Sequence, residues 1–111
     1  MQIDILAKQS DIVVVNHPLR THTMTHNQLA KIGGYRIIEL DSGKSTENEY
    51  WDAALSAGRY SFGIANDDLH HPERSRAIAV RSNMLNISGD SHSEICRVLN
   101  EGNFYAMRTP D

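Results

Sequence analysis

Asp11-Ile12-Val13-Val14-Val15-Asn16-His17-Pro18 decides how the chain reads. The run Ile12–Val15 is β-branched throughout and apolar on both faces of an extended chain. That is the pattern of a strand covered on both sides, as in a parallel sheet. It stops at Asn16-His17-Pro18, where Pro18 withdraws a ladder donor and restricts His17 to an extended shape.

Working outward, residues 2–8 carry a weak helical pattern with Ile5 and Leu6 apolar. Downstream, Thr25 with Gln28 spells a capping box, Met24 can staple onto Leu29, and Gly33-Gly34 closes the helix. Tyr35–Leu40 is a second strand and Asp41-Ser42-Gly43 a turn. Thr46 with Glu49 spells another capping box, with Trp51, Ala54 and Leu55 on one helix face and Gly58 as the C′ residue. Ser61–Ala65 is a third strand, followed by a polar loop over Asn66–Arg74 and a short fourth strand at Ala77–Val80. Ser91 with Glu94 opens a last helix that sends Ile95, Cys96, Val98 and Leu99 into the core. Gly102 ends it, before a final strand at Phe104–Met107. Strands that alternate with helices predict an α/β fold of mostly parallel strands. In such folds the functional loops lie at the carboxyl ends of the strands.

Composition narrows the function classes. At 111 residues the chain is one domain, 1–111. With 40% apolar residues it is too hydrophobic for disorder. No apolar run approaches the roughly 20 residues of a membrane helix, and no charged segment precedes an apolar one at the N-terminus, so a cytoplasmic, non-membrane protein is expected. The single cysteine, Cys96, leaves no internal disulfide and no Cys-based zinc cluster. A net charge of −3 without a basic block disfavours nucleic acid as a partner. Six histidines, about twice the expected number, hint at metal or acid–base chemistry.

Two strand-end loops concentrate that chemistry: Asn16-His17-Pro18, and Asn66-Asp67-Asp68-Leu69-His70-His71. Imidazole and carboxylate are natural ligands for zinc, manganese or iron. In extended chain Asp68 and His70 lie on the same side, so both can turn to one ion. The bland alternatives stay open. His17 can hydrogen-bond a neighbouring loop, Asp67 and Asp68 can serve turn chemistry, and His70 and His71 can simply be exposed. His22, His26 and His92 read as solvent-facing, and Cys96 as a small core residue. Glu39, near a strand end, either faces a site or caps the strand. Arg20, Arg74 and Arg76 are phosphate-binding candidates or solvated loop charges.

Taken in order, several segments resemble the C-terminal part of a PHP-domain (polymerase and histidinol phosphatase) protein. They are Val13-Val14-Val15-Asn16-His17-Pro18, Gly34-Tyr35-Arg36-Ile37-Ile38-Glu39, Trp51-Asp52-Ala53-Ala54-Leu55-Ser56-Ala57-Gly58, Gly63-Ile64-Ala65-Asn66-Asp67-Asp68-Leu69-His70-His71, and Leu99-Asn100-Glu101-Gly102-Asn103-Phe104-Tyr105-Ala106. No single piece is specific; the ordered series is. The resemblance implies a distorted β/α barrel that binds two or three divalent metal ions (zinc, manganese or iron) at the strand ends. It also implies hydrolysis of phosphoesters, such as a phosphorylated small molecule, with metal-activated water. His17, Asp68 and His70 match the family's late metal ligands, which also places Asp68 and His70 at the reacting centre.

The family's opening H-x-H motif and its other early ligands have no counterpart in the chain. A full barrel takes about 250 residues, so the expected fold is a partial barrel lacking its N-terminal half. Half a barrel leaves strand edges unpaired, and a homo-oligomer or complementary chain is expected to cover them. The alternative is a non-catalytic structural or interaction module that keeps the βα scaffold.

Overall fold

The computed structural model describes residues 2–20, 24–43, 47–74 and 78–110. The elements run α1 (Gln2–Gln9), β1 (Val14–Val15), α2 (His26–Lys31), β2 (Ile37–Asp41), α3 (Asn48–Ser56), β3 (Phe62–Ala65), a 3-10 turn at Pro72–Arg74, β4 (Arg81–Leu85), α4 (His92–Glu101) and β5 (Phe104–Arg108). The class is α/β. β1, β2 and β3 form a parallel sheet in that order, with Val14 opposite Ile37 and Ile37 opposite Phe62. α2 and α3 make the two crossovers. Among the described residues the sheet does not close into a barrel.

β2 is the central strand, and its Ile37, Ile38 and Glu39 are all buried. Ile38 joins Leu29, Ile32, Tyr35, Tyr50 and Ala54 in the core between the sheet and α2 and α3. Alternation sends Ile37 and Glu39 to the opposite face. The buried phenols are satisfied: Tyr35 donates to the Leu29 carbonyl at 3.1 Å and Tyr50 to the Met24 carbonyl at 2.7 Å. β1 departs from expectation. It is an edge strand with only Val14 and Val15 paired, and both are half-buried. Val13 and Val15 pack on the core, but the whole Ile12–Val15 run is only half-buried, not the fully buried strand expected, and β1 has a strand partner along one edge alone.

The helix signals are realised in part: Ser91 caps α4 by accepting the Glu94 N–H, but of Ile95, Cys96, Val98 and Leu99 only Val98 is buried, so Cys96 is not a core residue. Both halves of the Thr25–Gln28 box form, at 3.2 and 2.7 Å. Arg59 donates to the carbonyls of Ala30 and Lys31, so the C-terminal end of α2 is capped from another turn. α3 takes Glu47 as N-cap; Thr46, on which its expected capping box rests, lies outside the described residues. Its core face is Tyr50 and Ala54, with Trp51 half-buried and Leu55 40% exposed, so Leu55 is not a core residue. Apolar spacing alone does not separate neighbouring faces when Tyr50 competes for the same side. In α1, Ile5 and Leu6 are exposed, and it is Ile3 that packs on the core.

The second half differs more. Residues 78–80 form a bend with Ala79 at φ +59°, and the fourth strand is Arg81–Leu85, not 77–80; Ala77 lies outside the described residues. The cause is Asp67, whose carboxylate accepts the N–H groups of Val80 and Arg81 at 3.2 and 2.9 Å. β4 and β5 pair antiparallel, from Arg81 opposite Arg108 to Leu85 opposite Phe104. α4 ends at Gly102 in the left-handed region, only Asn103 precedes β5, and the chain returns directly along β4. A Cβ on Gly102 would lie 2.2 Å from the Phe62 ring, which seats the end of α4 on β3. Asn83 completes the join: its amide accepts from the N–H of Ala65 at 3.0 Å and donates to that residue's carbonyl at 2.9 Å. No described helix is long and apolar enough to cross a membrane.

Candidate metal centre

Two buried carboxylates organise the loop after β1. Glu39, 3% exposed on β2, accepts the His17 N–H at 2.8 Å. Glu47, fully buried at the start of α3, accepts the Leu19 N–H at 2.7 Å. The His17 carbonyl accepts from the Arg20 N–H at 3.0 Å, closing a tight turn over buried Pro18. In consequence His17 has φ +29°. The extended shape expected from Pro18 is overridden by the pull of Glu39 on the amide. The Nδ1 atom of His17 is buried with no hydrogen-bond partner.

Glu39 both caps a strand and reaches the candidate site. Its other oxygen accepts from the Asn66 side chain at 3.0 Å. The parallel order of β1 and β3 puts His17 and Asp68 at the same end of the sheet, and this one carboxylate ties together the segments that leave the two strands.

Asp68 sits at φ +53°. Arg20 Nη1 donates to its Oδ2 at 2.6 Å, and Arg20 Nη2 donates to Ser42 Oγ. That guanidinium hydrogen bond holds the Asp68 carboxyl below its usual range. Burial opposes the shift, while the charge of Arg20 and the neighbouring imidazoles of His70 and His17 add to it. His70 folds back, with Nδ1 2.7 Å from the Asp68 carbonyl oxygen and 3.8 Å from Asp68 Oδ1. Its ring is 74% exposed. His71 turns to Glu73 at 3.6 Å, and Arg74 lies exposed 3.8 Å from the same carboxylate. His22 and Arg76 lie outside the described residues. His26 stacks edge-on against Tyr50, ring centroids 4.1 Å apart.

Comparison with protein-family models, curated proteins and solved structures returned no match.

Asp67 takes the structural course left open for it, holding β4 through two backbone amides. Beside it, Arg81 is a residue that sequence reasoning missed. Its side chain, 7% exposed, donates to Asp41 at 2.7 Å and lies 3.5 Å from Asp67. The Asp41 hydrogen bond raises the Arg81 pKa. Burial pushes the Asp41 carboxyl up, but the bonds from Arg81 and from the Gly43 amide outweigh it and leave that pKa lowered. Glu47, Ser42 and Asn66 were also missed. The only sequence signal for them is that acidic and polar residues follow each strand.

His17, Asp68 and His70 are gathered at one mouth without closing into a single donor set. Among the described residues, only Asp11, His92 and Cys96 bring three donor atoms within 4.8 Å of one another. Arg20 occupies one Asp68 oxygen and His70 lies on the solvent side. A cleft of about 440 Å³ opens at the other end of the sheet, lined by Asp11, Gly34, Arg36, Arg59 and Tyr60 among others, and contains none of His17, Asp68 and His70.

Proposed function

We propose that this chain supplies part of a PHP-type, metal-dependent phosphoesterase site, with His17, Asp68 and His70 as ligands of a divalent zinc, manganese or iron ion. The observation that carries the reading is in the backbone. Among the described residues the non-glycine positions with left-handed φ are His17, Asp68 and Ala79, and the first two are the ligand candidates. Such strain persists where the surroundings over-determine it, and it clusters at functional sites.

The donor chemistry fits. Two imidazoles and a carboxylate suit zinc, manganese or iron and leave open positions, and the buried, unpartnered Nδ1 of His17 is a donor atom lacking a partner. A bound ion would supply Lewis acidity toward water and phosphoryl oxygens. The residues do the rest: His17, Asp68 and His70 would hold the ion at the reacting centre, and Arg20 offers a fork that matches phosphoryl oxygens. The substrate class is a phosphorylated small molecule in a cytoplasmic setting. The parallel sheet is a stretch of a larger β/α barrel, and a second copy or a complementary chain covers the open edge of β1 and completes the ligand set.

A second reading, a non-catalytic module, is favoured by the Arg20–Asp68 ion pair, which occupies the central carboxylate. Hydrolysis of para-nitrophenyl phosphate with added manganese separates the two. Turnover abolished by Asp68→Ala supports the esterase. No turnover, even at high protein concentration where copies associate, supports the module.

A further inference from the structure

The side of the molecule away from this site carries a second set of donors. His92 and Cys96 stand one turn apart on α4, and Asp11 reaches them from the segment leading into β1. His92 Nε2 is 3.0 Å from Asp11 Oδ2 and 3.5 Å from Cys96 Sγ. Tetrahedral zinc, with bonds of about 2.0 Å to nitrogen and oxygen and about 2.3 Å to sulfur, spaces its donors about 3.3 Å (N to O) and about 3.5 Å (N to S) apart. The observed spacings are close to both. The third residue of the same helix stripe, Asn100, donates to the Asp11 carbonyl at 2.9 Å and fixes the Asp11 backbone over the helix. Arg36 in turn donates to the Asn100 carbonyl at 3.0 Å.

We propose that Asp11, His92 and Cys96 form a zinc site, independent of the strand-end centre, that staples α4 to the start of β1. Thiolate, imidazole and carboxylate together are a zinc donor set, and one cysteine suffices in such a mixed set. Its Asp11 also lines the cleft at that end of the sheet, and the site joins residues 81 positions apart in the chain. Its fourth position stays open to water or to a donor from another molecule.

Cobalt(II) reports the site directly, because a thiolate ligand gives a near-ultraviolet charge-transfer band and tetrahedral cobalt gives intense visible bands. Titration of the full chain with cobalt should produce both. Cys96→Ser should remove the charge-transfer band, and His92→Ala or Asp11→Asn should weaken cobalt binding tenfold or more. The double variant His17→Ala/His70→Ala should leave the band intact. Zinc should slow alkylation of Cys96 by iodoacetamide, and a chelator should restore the rate. No charge-transfer band in a folded wild-type protein, a band unchanged by His92→Ala, or alkylation indifferent to zinc would each overturn the proposal.

Discussion

Arg20 Nη1 donates to Asp68 Oδ2 at 2.6 Å, so the carboxylate marked by the sequence as a metal ligand is shared with a guanidinium. Both side chains are about three-quarters buried, 25% and 21% exposed. The pair has a pH signature. The folded Asp68 pKa lies below its unfolded value because of Arg20. The stabilisation is therefore fully present above the unfolded carboxylate pKa of about 3.9 and is lost as pH falls through the lower folded value. Arg20→Gln should cost about 1 kcal/mol at neutral pH. That cost should vanish in acid, as read from urea midpoints at a series of pH values. The same variant should bind manganese several-fold more tightly, since it frees Asp68, and hydrolyse a phosphoester more slowly.

Glu39 is nearly inaccessible and accepts from both His17 and Asn66. Glu39→Leu strands two donors and should destabilise by roughly 2–4 kcal/mol. Glu39→Gln keeps an acceptor for one of them and should cost about half as much. Equal losses would mean that Glu39 is held for its shape rather than its two hydrogen bonds.

Gly58 and Gly102 offer a matched pair. Their φ values are +76° and +74°, yet a Cβ at Gly58 meets open space while one at Gly102 meets the Phe62 ring. Gly58→Ala should cost about 1–2 kcal/mol, the left-handed penalty alone. Gly102→Ala should cost about 1–3 kcal/mol more from overpacking. Similar denaturation midpoints for the two variants would contradict the seating of α4 on β3.

The open edge of β1 predicts association. Sedimentation velocity should show a dimer or larger species that dissociates on dilution. A monomer at all concentrations, with a single cooperative thermal transition, would remove the need for a covering chain.

Much of the first half was legible in the sequence because local chemistry and fold agree there. The Thr25–Gln28 box forms in full, Gly58 takes up its left-handed turn, and the parallel order of β1, β2 and β3 follows from strands separated by helices. The second half was harder. β4 contains Arg81 and Asn83, whose polar side chains serve Asp41, Asp67 and Ala65 instead of an apolar face. Periodicity therefore has nothing to register, and the antiparallel return is set by Gly102. At the site, His17 and Asp68 could be chosen by residue type and strand end. Their left-handed backbones and their ties to Glu39 and Arg20 could not, because each partner lies 22 or more positions away.

The metal-binding role of His17, Asp68 and His70 is tested most directly by titrating manganese into the Cys96→Ser protein, with the zinc staple disabled. Binding should saturate near about one ion and weaken at least about tenfold when His17 and His70 are both replaced by alanine. Identical manganese affinity with and without those two imidazoles would contradict the assignment.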